Sequence, residues 1–236
     1  MHDVLLPIHI AAGALALASM VPPLVARKGG ALHRRAGWVF VAAMTVVAAT
    51  AFALSLARLV APESPRDRVI GLFLFSVSAL AAASVSTGVR VLRFKTRAAP
   101  HRNAYDLAIS ALCALAGAAT LAYGALVAGS ILLAAFGVLG VAIGASQLAY
   151  WLRAPRERMH WWIQHMGAML GGCIAATTAL VVTNASRFGA GAFSTIVWLA
   201  VPAIGVPAIA VWTRSYRRRF ARATATPASR AKAAAA

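Results

Sequence analysis

A small set of polar side chains lies at the ends of long apolar stretches, and these side chains are the ones whose types could do chemistry. Because an ionisable group is costly inside lipid, each is a candidate functional residue by default. Imidazole, carboxylate and amide groups bind metals, haem iron or small polar ligands, and histidine also titrates near neutral pH. At one end of the stretches the candidates are His33, His101, Asp106, Gln147, His160, Gln164 and His165, and His9 is the candidate at the other end.

A b-type haem would need two of these histidines at the same depth on facing helices. With a helical rise of about 1.5 Å per residue, His9 lies about 7 Å inside one boundary of the hydrocarbon core and His165 about 6 Å inside the other. About 17 Å then separates them along the membrane normal, so they cannot share one iron. A pair chosen from His33, His101, His160 and His165 stays open. The alternative is that these are interfacial histidines, hydrogen-bonded to backbone or lipid.

A divalent metal is a second hypothesis for the same group. Three imidazoles, or two with Asp106, would leave an open coordination position for water. The chain has no HExxH motif, and His160 and His165 are five residues apart, which places them on different faces of a helix. The most specific form of the hypothesis has His33 approaching His165 and Asp106. A proton or solute pathway through Asp106, His165 and Gln147 is a third hypothesis.

The elements that must position these residues are membrane-spanning helices. Of the 236 residues, 61% are apolar and only 12% are charged, and the mean hydropathy of +0.77 exceeds what a water-soluble fold can hide. Seven stretches of about 20 residues are continuously apolar, which favours helices over alternating barrel strands. We therefore predict an all-α, polytopic membrane helix bundle. The predicted spans are residues 4–25, 36–59, 69–91, 105–127, 131–152, 161–183 and 193–213.

The distribution of Lys and Arg predicts the orientation of the bundle. Of the 23 basic residues, 19 fall after the first, third, fifth and seventh spans, and four fall on the other side. Short loops rich in Lys and Arg stay in the cytoplasm, which puts the amino terminus outside and the carboxyl terminus inside the bacterial inner membrane. The net charge of +18 is then a consequence of topology, and we predict no nucleic-acid partner.

The composition predicts two regions. Residues 1–215 form the seven-helix membrane domain, and residues 216–236 form a basic, Ala-rich disordered tail in the cytoplasm. At the start of the tail, Arg217, Arg218 and Arg219 are candidates for binding anionic lipid headgroups. The alternative is a stop signal followed by a solvated tail.

Small residues predict where helices approach closely, because lipid supplies no hydrophobic force to bring them together. The sixth span carries Gly167 and Gly171 as a GxxxG motif, with further small residues on a neighbouring stripe. The fourth and fifth spans are joined only by about residues 128–130, which predicts an antiparallel hairpin.

Two segments also resemble a known family. Residues 9–13 (His-Ile-Ala-Ala-Gly) and 27–37 (Arg-Lys-Gly-Gly-Ala-Leu-His-Arg-Arg-Ala-Gly) resemble the bacterial predicted-membrane-protein family catalogued as domain of unknown function 2306, and residues 165–167 and 174–179 are similar to its sixth span. The resemblance implies an inner-membrane protein with a His- and Arg-rich inner face, and it implies no reaction. The positions that it marks are His9, Gly13, Lys28, Gly29, His33, Arg34, Gly37 and His165.

These observations lead to two functional hypotheses. The first is a binding or accessory membrane protein whose inner-face cluster of His, Asp and Gln engages a small ligand, a metal or a partner. The second is a membrane oxidoreductase or electron carrier that holds a b-type haem.

Overall fold

Seven long helices make up the structure, a computed structural model that describes residues 2–191 and 194–224 and shows no strand within them. Each helix is long and apolar enough to cross a membrane, as expected for a multi-pass membrane protein, so the predicted all-α class and the predicted seven long apolar helices are confirmed. Residue 193, the predicted start of the last span, lies outside the described residues. The helices are α1 (His2–Val25), α2 (Ala31–Val60), α3 (Pro65–Arg90), α4 (Ala104–Leu126), α5 (Ile131–Leu152), α6 (His160–Thr183) and α7 (Thr195–Thr224).

The central helix is α3, which packs against α2, α4, α5 and α6. Half of its most apolar stretch is buried within the protein, whereas the corresponding stretches of α1 and α7 are only 11% buried. Most of its inward side chains are Ser, Thr, Ala or Gly, which lets four neighbours approach it. The residues at the end of α3 are therefore placed to contact several other helices at once.

The closest helix pair is the α4–α5 hairpin. A Cβ atom added to Gly137 would lie 2.4 Å from the backbone nitrogen of Leu121, and one added to Gly144 would lie 2.4 Å from that of Ala114. These separations are shorter than any real Cβ contact, so the two backbones touch across glycine. The hairpin expected from the short connection is present, and glycine sets its spacing.

The GxxxG motif of α6 does not produce comparable packing. An added Cβ would find its nearest atom 3.9 Å away at Gly167, on Ile209, and 3.7 Å away at Gly171, on Ser84. Both are ordinary van der Waals distances to side chains. The GxxxG motif therefore does not mark the closest helix approach in this bundle, because Gly167 and Gly171 face side chains of α7 and α3 and not their backbones.

The disorder predicted from residue 216 onward needs correction for residues 216–224. Helix α7 continues to Thr224, nine residues into the tail predicted at 216–236. Ala and Arg are good helix formers, and basic residues near a helix carboxyl terminus are favoured by its dipole. The ring of Trp162 on α6 also packs 4.3 Å from Tyr216 and 5.5 Å from Phe220, centroid to centroid. Residues 225–236 lie outside the described part of the chain.

Candidate functional site

One end of the bundle, which we call the Arg-rich end, holds most of the candidate residues. Successive helices run in opposite directions, so the connections 26–30, 91–103 and 153–159 and the last turns of α7 lie at this same end. His9, near the start of α1, belongs to the opposite end. The structure distributes the candidates of the Arg-rich end among separate groups.

The first group is centred on Asp106, whose side chain is 1% exposed. Arg90 donates from Nε to Oδ1 and, at 2.7 Å, from Nη2 to Oδ2, which makes a two-pronged ion pair. His101 Nε2 donates to Oδ2 at 3.0 Å. Asp106 lies in the first turn of α4, where the helix dipole also favours a negative charge. All of these partners satisfy a carboxylate that apolar surroundings would otherwise reject.

Aromatic rings fix the imidazole of His101 in this group. Its ring centroid lies 4.2 Å from that of Phe94 and 5.1 Å from that of Trp151 at the end of α5. The backbone N–H of His101 donates to the Trp151 carbonyl at 2.8 Å. His101 therefore joins the α3–α4 connection to α5. These contacts explain His101 as a residue with a structural role.

Arg97 caps the carboxyl terminus of α5. Its guanidinium donates to the carbonyl oxygens of Tyr150 and Arg153, each at 2.9 Å, and lies 4.6 Å from the centre of the Tyr150 ring. The last carbonyls of a helix have no partner within the helix, and a planar guanidinium can bind several of them together. Arg97 thus acts as a clamp between the α3–α4 connection and α5.

Gln147 lies deeper between α4 and α5 and is 5% exposed. Its amide makes long hydrogen bonds, donating to the Ala83 carbonyl and accepting from the Ser110 hydroxyl, both at 3.4 Å. Ser110 also donates to the Asp106 carbonyl at 2.7 Å. These contacts join three helices, and Gln147 therefore has a packing role in this structure.

A second group surrounds a cavity of about 380 Å³ between the ends of α5, α6 and α7. The Tyr150 hydroxyl and His160 Nδ1 share a hydrogen bond of 2.8 Å at its wall, and Gln164 also lines it. Arg217, a predicted lipid ligand, forms an ion pair of 3.1 Å with Glu157 here. Both partners of that pair are about half exposed, so the pair is weak.

The third group is a pair of histidines from α2 and α6. The imidazoles of His33 and His165 have centroids 6.4 Å apart and planes inclined by 64°. His33 Nδ1 lies 3.1 Å from the Pro23 carbonyl, and His165 Nδ1 lies 2.7 Å from the Gly88 carbonyl. The pair therefore joins the ends of α1, α2, α3 and α6.

These contacts define which ring nitrogen of each imidazole carries a hydrogen. A carbonyl oxygen can only accept, so each Nδ1 carries a hydrogen and donates it. In the neutral ring the lone pair is then on Nε2, the atom with which a histidine fixed in this way binds a metal. Across the described residues, neither His33 Nε2 nor His165 Nε2 has a hydrogen-bond partner. Each ring of the pair therefore keeps one nitrogen without a hydrogen-bond partner among these residues, as does His160, whose Nε2 is buried and unpartnered.

The remaining candidate on the other side is His9, whose Nδ1 lies 2.9 Å from the Thr50 hydroxyl. That hydroxyl donates to the Val46 carbonyl at 2.7 Å, so it accepts from His9. The contact joins α1 to α2. The structure places His9 and His165 in different groups, in agreement with the depth argument.

In the structure, His33 therefore contacts His165, whereas Asp106 contacts Arg90 and His101. Across residues 2–191 and 194–224, no three His, Cys, Asp or Glu side chains are grouped so that they could hold a metal ion. The expected site of three imidazoles, or of two with Asp106, is not formed. His160 and His165 point to different helices, α5 and α3, as their five-residue spacing predicted.

Two of the principal residues at this end, Arg90 and Arg97, were not singled out as site residues from the sequence. In the sequence both stand among the basic residues that follow the third apolar stretch, where they bear only on the predicted topology. One signal was present for Arg90: an arginine in the last turn of one span and an aspartate in the first turn of the next lie on the same side of a membrane. No sequence pattern indicated that Arg97 would reach the end of α5.

Comparison of the chain with protein-family models, with curated proteins and with solved structures finds no match. Function must therefore be argued from the geometry of the groups described above.

Proposed function

We propose that this chain is a bacterial inner-membrane protein that binds a metal centre through His33 and His165, with its amino terminus outside and its carboxyl terminus in the cytoplasm. The excess of Lys and Arg at the Arg-rich end supports this orientation. The resemblance to the domain of unknown function 2306 family is part of the proposal, since both histidines are among the positions on which it rests.

The observation that carries the proposal is the arrangement of the histidine pair. Metal-bound histidines commonly donate their second ring N–H to a carbonyl or carboxylate, which fixes the ring and its tautomer. Both His33 and His165 have such a donor contact before any metal is considered. With metal–nitrogen bonds of about 2 Å and a ring radius of about 1 Å, two imidazoles on opposite sides of one metal have centroids about 6 Å apart. The separation of 6.4 Å agrees with that value.

Two protein ligands are fewer than the three or four of typical zinc sites. A single transition-metal ion, such as copper, with non-protein ligands completing its coordination fits the pair best, because imidazole binds copper, zinc, iron and nickel. In this assignment the protein is a binding or accessory protein, and the other polar groups of the Arg-rich end support the helices that carry the ligands.

A b-type haem is the second candidate, and one observation favours it. The pair supplies two imidazoles, the number that a six-coordinate haem iron takes from protein when both axial ligands are histidine. The porphyrin would require a slot between α2 and α6. His33 and His165 line neither the cavity beside His160 nor the groove between α2, α3 and α4, which makes the single ion the better fit.

The test is metal analysis of the purified protein together with its absorption spectrum. We expect about one metal ion per chain in the unmodified protein and a loss of at least tenfold in both His33→Ala and His165→Ala. His9→Ala is the matched control, because it removes a histidine that is hydrogen-bonded at the other end. A Soret band that disappears in the same two variants would select haem over the single ion. Full metal content in both variants, or no metal in the unmodified protein after loading with copper, zinc or haem, would overturn the proposal.

A further inference from the structure

A groove of about 420 Å³ lies between α2, α3 and α4. It is separate from the histidine pair and from the cavity beside His160, and it shares no lining residue with that cavity. Its walls combine a polar mouth with an apolar body, which is the pattern of a site for an amphiphilic molecule.

The mouth lies at the Arg-rich end and is positively charged. It is formed by Arg90, Arg93, Tyr105 and Ser86. The Ser86 hydroxyl donates to the Tyr105 oxygen at 3.1 Å, and the Arg90 guanidinium lies 4.9 Å from the centre of the Tyr105 ring. Asp106 already neutralises Arg90. Arg93 is exposed and has no ion pair or hydrogen bond among the described residues, so its charge remains available to an anion.

The body of the groove is apolar and narrow. On α2 it extends from Val41 to Phe52, which is about 16 Å along the helix axis. Ala48 and Ala49 lie between these residues, and their small side chains leave a channel against α3. An extended hydrocarbon chain has the cross-section and polarity to occupy such a channel, whereas a soluble anion would leave it empty.

We infer that this groove binds one anionic phospholipid, with its phosphate at Arg93 and the Tyr105 hydroxyl and an acyl chain along Ala49 toward Phe52. Charge complementarity identifies the headgroup, because the mouth offers an unpaired guanidinium and the Tyr105 hydroxyl to phosphate oxygens. The length and apolar lining of the body identify the chain. The inference rests on the membrane placement within the proposed function and not on metal binding.

The experiment measures phospholipid retained by the purified full chain in detergent, by native mass spectrometry, after addition of equal amounts of phosphatidylglycerol and phosphatidylcholine. We expect the unmodified protein to retain phosphatidylglycerol preferentially. Arg93→Gln should weaken that binding about fivefold, the contribution of one basic residue near a membrane surface. Ala49→Trp should weaken it comparably by filling the channel while it leaves the charge intact.

Two control variants test the specificity of these effects. Arg35→Gln removes an exposed charge at the same end but outside the groove, and Ala42→Trp adds the same bulk to an exposed position of α2 outside the groove. Both should bind phosphatidylglycerol as the unmodified protein does. The metal content of Arg93→Gln and Ala49→Trp should also be unchanged, which separates a failure of this inference from a failure of the proposed metal site.

Specific outcomes would overturn the inference. Equal retention of the two lipids would exclude a headgroup site, and an effect of Arg35→Gln as large as that of Arg93→Gln would indicate general charge attraction. Unaltered binding in Ala49→Trp would show that no chain enters the groove. Displacement of the lipid by glycerol phosphate at equal concentration would show that a free anion is the better ligand.

Discussion

Among single residues, the most consequential is Asp106, because its carboxyl group is buried and is held by side chains from α3 and from the α3–α4 connection. A buried ion in lipid-like surroundings is tolerated when opposite charge and hydrogen bonds satisfy its oxygens. Arg90 and His101 supply both, and Arg90 remains 22% exposed, so part of its charge is still hydrated. The ion pair between Arg90 and Asp106 thus joins the end of α3 directly to the start of α4.

We expect Asp106→Asn to lower the free energy of unfolding by about 3 kcal/mol, because Arg90 would keep its charge without a counter-ion. Denaturant unfolding in detergent, followed by circular dichroism, measures the change. Glu157→Gln is the control: it breaks the exposed pair with Arg217 and should cost less than about 1 kcal/mol. Equal stability of the two variants would contradict a structural role for the Asp106 group.

His33 and His165 differ from the other histidines at this scale because their two rings lie against each other. Both rings are fixed through Nδ1 and both retain Nε2. His9, His101 and His160 make side-chain contacts that join helices. His160 Nε2 is also buried without a hydrogen-bond partner in the described part of the chain, so an unpartnered ring nitrogen does not by itself distinguish His33 and His165. What distinguishes them is that the two imidazoles lie against each other.

At the scale of the elements, helix packing depends on small residues at particular positions along each helix axis. The α4–α5 hairpin is held by direct backbone approach at Gly117, Gly124, Gly137, Gly140 and Gly144. In lipid, where apolar surfaces gain little by leaving the solvent, close van der Waals contact is the principal attraction between helices. This hairpin therefore forms a rigid unit against which α3 packs.

A methyl group placed into this contact should separate the helices. We expect Gly144→Ala to reduce stability by about 1–3 kcal/mol, the usual cost of overpacking, because its Cβ would collide with the backbone of Ala114. Gly37→Ala is the matched control, since no atom lies within 4 Å of the added Cβ and alanine favours helix. Thermal unfolding in detergent compares the two, and a lower midpoint for Gly37→Ala than for Gly144→Ala would contradict the packing argument.

At the scale of the whole molecule, charge and apolar surface are separated along the long axis of the helix bundle. Large apolar side chains cover the outside of the peripheral helices, for example Ile10, Ile196 and Ile204. Basic residues collect at one end, where the histidine pair, the buried Asp106 and the mouth of the groove also lie. The proposed orientation places all three groups on the cytoplasmic side.

Reporter fusions test that orientation. Alkaline phosphatase fused after Ala236 should be inactive and green fluorescent protein at the same site should fluoresce, because positively charged segments are retained in the cytoplasm. Phosphatase fused after Glu63, in the short α2–α3 connection, is the control and should be active. Active phosphatase after Ala236 would reverse the assignment and move every site of the Arg-rich end to the periplasm.

The sequence by itself determined the number, type and approximate limits of the helices, and it predicted that the candidate side chains collect near two ends of the bundle. These properties depend on the length of continuous apolar runs, because the backbone in lipid must satisfy its hydrogen bonds within each helix. Only the tertiary structure decided the partners: Arg90 for Asp106, His165 for His33, glycine contacts in α4–α5 rather than α6, and a longer α7. The physical reason is that core-facing and lipid-facing sides of these helices are both apolar, so the sequence carries little information about how each helix is rotated toward its neighbours.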